Sequence, residues 1–165
     1  MKNNGRVLII RSCGFQHIDK VIGKVRKKFK TAEISILTHA HGKEMAEKYG
    51  GVKVLVYPYK GNFSVMRPFK TGDYDAVIVP TGNITGSGFL NVFMFALTIG
   101  ATERYICNLN TDFKSLTTLR VLMTALKGGV IGAASMFFAI PAAIVLFIIW
   151  HILGIRVIKK KEKGD

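Results

Sequence analysis

Shortly after the apolar run Val7–Ile10 come a hydroxyl, a thiol, an imidazole and a carboxylate: Ser12, Cys13, His17 and Asp19. Groups of this kind act as nucleophiles, proton acceptors or anion ligands when a fold gathers them. Two stricter patterns are missing. The stretch lacks G-x-G-x-x-G, so it is no ordinary dinucleotide fingerprint. A cysteine phosphatase loop needs an arginine six positions after the cysteine, and Asp19 stands there. No Walker A sequence occurs in the chain.

A second candidate is "PTGNITGSG" at residues 80–88. Gly82, Gly86 and Gly88 let a backbone approach a ligand, and Thr85 or Ser87 can cap a following helix. A helix start of this kind favours a phosphate or a sugar, although a tight glycine turn serves packing equally well. His39 and His41 fall, like His17, near predicted strand ends. With Cys13 they can supply metal ligands, but neither their spacing nor the few acidic neighbours demands one, and no metal is expected. Lys60, Arg67 and Lys70 lie in an irregular stretch, where they meet a phosphate, a lipid headgroup or only water.

These side chains must be positioned by an alternation of short apolar strands and helices. "RVLII", "AEISILT", "VKVLVY", "DAVIVP" and "ERYICN" read as strands. "DKVIGKVRKKF", "GKEMAEKY" and "SGFLNVFMFALTIG" read as helices, the second stopped at Gly50 and Gly51. The expected class is α/β: a single Rossmann-like, doubly wound parallel five-stranded sheet in the order 3-2-1-4-5 over residues 1–111. Its ligand-binding switch point lies between the ends of strands one and four. Residues 112–127 have the helical spacing and charge of a basic amphipathic helix, which lies on lipid or packs on the sheet.

Residues 128–155 contain no Asp, Glu, Lys or Arg, which is the pattern of a membrane helix, with Pro141 as a point of kinking. The chain has 165 residues, 49% apolar, with a net charge of +14. Residues 1–127 carry 19 Lys and Arg against 8 Asp and Glu, and the tail 156–165 carries 5 against 2. Beside a membrane segment this charge points to anionic lipid rather than nucleic acid. The positive-inside rule draws both the domain and the tail to the cytoplasmic side of an inner membrane. A single span, near Gly129 to Trp150, fits the bilayer thickness but cannot satisfy both, whereas a re-entrant hairpin broken near Pro141 satisfies both but reaches only partway across with each arm, and both topologies stay open. Two cysteines, Cys13 and Cys107, give no disulfide framework, and no signal peptide is expected at the N-terminus.

"RVLIIR", "DKVIGKVRKKFKTAEISILTH", "YDAVIVPTGN" and "GATERYICN" together resemble the N-terminal domain of glycosyltransferase family nine, the lipopolysaccharide heptosyltransferases of GT-B fold. The resemblance covers about residues 6–110 and implies an acceptor-side Rossmann domain that needs no cofactor of its own. It implies a catalytic base at Asp19, where Ile18 replaces the glycine of the family's Gly-Asp pair and the loop runs about two residues longer. It places Thr81, Gly82 and Asn83 on the acceptor-facing loop, and Ser12, His17, Arg67 and Gly86 are the further candidates for acceptor or anion contact. The donor-binding second domain of GT-B enzymes has no counterpart in the residues read here. A separate donor-binding chain carrying the nucleotide sugar, or a homo-oligomer, is therefore expected to complete the enzyme. The alternative is a non-catalytic membrane adaptor built on the same domain.

Overall fold

The computed structural model describes the backbone of residues 5–162 and the side chains of residues 5–126, 135 and 137–151. The chain divides into two compact units, residues 1–122 and 123–165.

The first unit is built on six strands: β1 (Arg6–Ile10), β2 (Glu33–Thr38), β3 (Val52–Val56), β4 (Tyr74–Pro80), β5 (Ala101–Cys107) and β6 (Phe113–Ser115). They form one sheet in the order β3-β2-β1-β4-β5-β6. The first five are parallel, in the order the sequence predicts. The sixth is antiparallel to β5, pairing Cys107 with Phe113 and Tyr105 with Ser115. The sheet is thus mixed and six-stranded rather than purely parallel and five-stranded. Phe113–Ser115 had read as the start of a helix, because a three-residue edge strand is too short to show a period of two.

Alternation along β1 shows why both faces must be covered. Val7 and Ile9 enter one apolar cluster, Leu8 and Ile10 the other, and all four are fully buried. Helix α1 (Phe15–Lys28) covers the first face with Ile18, Val21, Ile22 and Val25, joined by Ala46 of α2 (Lys43–Glu47). Helix α3 (Leu90–Leu97) covers the other with Phe93, Phe95 and Ala96. No helix forms between β3 and β4. Aromatic packing fills that place: Phe95 is fully buried, 5.1 Å from the Phe63 ring and 5.4 Å from that of Tyr57. Helices leave β1 and β4 toward opposite faces, which opens a crevice between their carboxyl ends.

Helix α1 begins four residues before the predicted Asp19. His17 and Ile18 extend its buried face, so the loop after β1 shrinks to Arg11–Gly14 and both His17 and Asp19 lie inside the helix. Helix α4 (Thr118–Glu162) runs through Pro141, where the sequence suggests a kink. Its first turn places Val121 in the domain core beside Leu116. In the second unit, Phe137, Phe138, Leu146, Phe147 and Trp150 are all exposed. Much of the expected membrane segment, residues 128–134, 136 and 152–155, lies outside the described side chains. Among the described residues no helix is long and apolar enough to cross a membrane.

Candidate functional site

A cleft of about 830 Å³ opens at the carboxyl ends of β1, β2 and β3 and against the start of α3. Arg11–Gly14 form one wall, His39–His41 the floor, Tyr57–Phe63 the opposite wall, and Phe89, Asn91 and Val92 close the side. It occupies the position where doubly wound sheets bind ligands.

Arg11 is the fixed cation of the cleft. Its Nε donates to Thr38 Oγ1 at 2.8 Å, and a terminal nitrogen donates to His41 Nε2 at 2.8 Å. The guanidinium also lies 4.9 Å over the Phe15 ring. Among the described residues no carboxylate pairs with it. Gly42 makes this packing possible, since a Cβ there would stand 2.5 Å from Thr38 Oγ1 and 3.0 Å from Arg11 Nε. The N-terminus of α1, capped by Gly14 without a side-chain bond, adds its partial positive charge to the same wall.

His39 stands between charge and aromatic surface. Its ring is 4.5 Å from Phe63, 5.5 Å from Tyr57 and stacked 5.7 Å from His41. Burial holds its pKa below the ordinary imidazole value, and the charge of Arg11 acts the same way, against a backbone contact with Gly61. The ring is therefore neutral at pH 7, and Nε2 is buried without a hydrogen-bond partner. A neutral imidazole with a spare lone pair is equipped to accept a proton. Cys13 is not equipped to attack, because burial pushes its thiol up to about 11 despite Arg11 nearby.

Ser12 sits in the wall, but its hydroxyl is taken up by the Pro80 carbonyl. Arg67 lies outside the cleft and braces it: its side chain donates to the Lys60 carbonyl at 3.2 Å, while Tyr57 donates to the Arg67 carbonyl at 2.8 Å. Thr81, Gly82, Asn83 and Gly86 do not line the cleft. Thr81 donates to the Asn83 carbonyl at 3.0 Å, and the Asn83 side chain accepts from Gly86 N at 2.6 Å and donates to the Ser87 carbonyl at 2.8 Å. These groups lock the loop that leads into α3.

Asp19 is exposed on α1, where Tyr49 donates its phenol to the carboxylate, and it does not line the cleft. His17 is 7% exposed and also absent from the lining, with both ring nitrogens buried and unpartnered. The structure therefore brings Ser12 to the cleft and leaves Asp19, His17, Thr81, Asn83 and Gly86 outside it. The residues it adds are Arg11 and the aromatic set Tyr57, Tyr59, Phe63 and Phe89. Arg11 ends "RVLIIR" directly after a buried strand, and that position was the available signal. Among the described residues no group of three or more His, Cys, Asp or Glu is placed to hold a metal ion.

Fold and cleft define an α/β protein with a mixed six-stranded sheet and a polar, aromatic-walled crevice at the carboxyl ends of β1, β2 and β3. No family model matches the chain, and neither a curated protein nor a solved structure does so.

Proposed function

We propose that the chain is the membrane-anchored, acceptor-side part of a glycosyltransferase of the cell envelope, binding a saccharide that carries a negative charge. The cleft carries this reading. Arg11, without a carboxylate partner among the described residues, supplies a charge for phosphate or carboxylate, and Tyr57, Tyr59, Phe63 and Phe89 supply apolar faces for sugar rings. In this reading a second, donor-binding unit holds the nucleotide sugar. The uncharged run 128–155 is the proposed anchor, and the excess of Lys and Arg in residues 1–127 supports a domain on the cytoplasmic side of the inner membrane.

Within this reading His39 competes with Asp19 for the role of base. His39 faces the cleft as a neutral imidazole, whereas Asp19 is held by Tyr49 on the outer face of α1. Titration of the full-length chain with a hexose 1-phosphate and with the neutral hexose tests the binding claim. Preference for the phosphate, lost in Arg11→Ala, supports it, and equal or absent binding of both refutes it. The position of Asp19 outside the cleft favours a second reading, a non-catalytic adaptor. Co-purification of a donor-type subunit, with glycosyl transfer that survives Asp19→Ala and disappears in His39→Ala, favours the enzyme.

A further inference from the structure

Acidic side chains are distributed unevenly between the two ends of the sheet, while cations stand at both. The loops leaving the carboxyl ends of β1 to β4, residues 11–14, 39–42, 57–73 and 81–89, contain Arg11, His39, His41, Lys60, Arg67 and Lys70, and their one acid is Asp73, directly before β4. Acids on that side are Asp19 near the start of α1, held by Tyr49, Glu44 on α2, and Asp112, whose carboxylate accepts from Asn108 at 3.2 Å. At the amino ends stand Glu33, Asp73, Asp75 and Glu103, interspersed with Arg6, Lys28 and Lys30. Asp75 is occupied there, accepting from Arg6 N at 2.7 Å.

The carboxyl edge also carries apolar tips on three separate loops. Met66 is 91% exposed, Ile84 55% and Leu109 47%, with Tyr59 and Val65 exposed beside the first. Their loops are held in place. Arg67 and Tyr57 close the first by the bonds described above, and Leu109 N donates to the Asn83 carbonyl at 3.4 Å, joining the other two. Large apolar side chains on rigid tips among cations are costly in water. They suit an interface where hydrocarbon and anionic headgroups meet.

We propose that this carboxyl edge is a docking surface for an anionic lipid bilayer, with Met66, Ile84 and Leu109 entering the headgroup boundary and Lys60 and Arg67 meeting lipid phosphates. The mouth of the cleft then opens at the lipid surface, so that a lipid-linked ligand enters without leaving the membrane. The inference rests on the proposed membrane association and not on glycosyl transfer.

The test uses the full-length chain reconstituted with phosphatidylcholine vesicles, with or without phosphatidylglycerol. An environment-sensitive fluorophore is attached at Met66→Cys, Ile84→Cys, Thr31→Cys on the opposite edge, or Phe138→Cys in the second unit. Signal from labelled wild type is subtracted for the two native thiols, one half-buried and one buried. On anionic vesicles the Met66 and Ile84 probes should shift to the blue and be quenched by lipid-borne quenchers, while the Thr31 probe stays aqueous. Removing two cations in K60A/R67A should weaken docking roughly 30-fold. If the Met66 and Thr31 probes are equally wet while the Phe138 probe is in lipid, the docking surface is refuted and the anchor stands. If the Phe138 probe is wet and the Met66 probe is in lipid, the anchor fails and the docking surface stands. Equal immersion on neutral and anionic vesicles overturns the role given to Lys60 and Arg67.

Discussion

Arg11 donates to His41 Nε2 at 2.8 Å, a contact in which only the ring nitrogen can accept. The guanidinium lines the cleft, and among the described residues no carboxylate pairs with it. His41→Ala removes one of its two side-chain acceptors while leaving Thr38 in place. Affinity for a hexose 1-phosphate should fall by a few-fold, in line with one hydrogen bond worth about 1 kcal/mol. Arg11→Ala should cost roughly 10- to 100-fold, as expected for a charged hydrogen bond. Calorimetric titration of the three proteins checks the order, and a His41→Ala loss as large as that of Arg11→Ala would sink it.

His39 gives the cleft a dependence on pH. Its folded-state pKa lies below the ordinary 6.5 because burial disfavours the charged ring. The unfolded chain therefore binds the proton more readily than the folded one. Stability is unaffected well above 6.5, declines as the pH falls through that value, and stops declining below the folded pKa. His39→Phe keeps an aromatic ring against Phe63 and Tyr57 and cannot titrate. Thermal unfolding at about pH 7.5 and 5.5, either side of the imidazole range, should show a larger drop in Tm for the wild type than for the variant. An equal drop in both would assign the acid sensitivity elsewhere.

Cys13 tests whether the cleft activates a nucleophile. Its thiol is pushed from an ordinary 9.0 up to about 11, chiefly by burial. At neutral pH its thiolate is then roughly a hundredfold scarcer than that of a free cysteine. Alkylation by iodoacetamide should be correspondingly slow, and Cys13→Ser should leave ligand binding intact. Fast alkylation at pH 7 would show that Arg11 and the α1 terminus outweigh burial.

The sheet was the legible part of this chain. Val7–Ile10 and Ala76–Val79 are buried on both faces, so their apolar runs carried the parallel pairing and the strand order in plain view. The site was less legible, because its residues are gathered from four loops and share no spacing. Asp19 looked like the first residue of its helix only because the start of α1 at Gly14 has no Ser, Thr, Asp or Asn cap to mark it. Thr81 and Asn83 looked like ligand groups, and their polar atoms are spent on the loop itself. Side chains that bind backbone and side chains that bind ligand have the same chemistry, so residue type alone does not separate them.

His17 extends that distinction to the core. Both imidazole nitrogens are buried on α1 without partners, next in sequence to the fully buried Ile18. An unsatisfied buried polar group costs about 1–3 kcal/mol, so His17→Leu should raise the unfolding free energy by about that amount. Denaturant melts of the two proteins measure it. A destabilised His17→Leu variant would instead mean that the imidazole bonds a buried water or a ligand.

Gly86 sets the geometry of the loop into α3. Its φ of +77° lies in the left-handed region, and a Cβ there would come within 3.0 Å of the Phe93 ring. Phe93 belongs to the core cluster with Phe95 and Phe63, so the ring can yield only by loosening the aromatic packing under the cleft. Gly86→Ala therefore combines backbone strain with a steric clash and should cost about 2 kcal/mol or more. Asn83→Ala removes the bonds to Gly86 N and the Ser87 carbonyl but adds no clash, and should cost about 1–2 kcal/mol. The two changes act on one loop, so the double variant should lose less than the sum of the single losses. Denaturant unfolding of the three variants gives this coupling directly. Strict additivity would show that Asn83 does not hold Gly86 in its left-handed conformation.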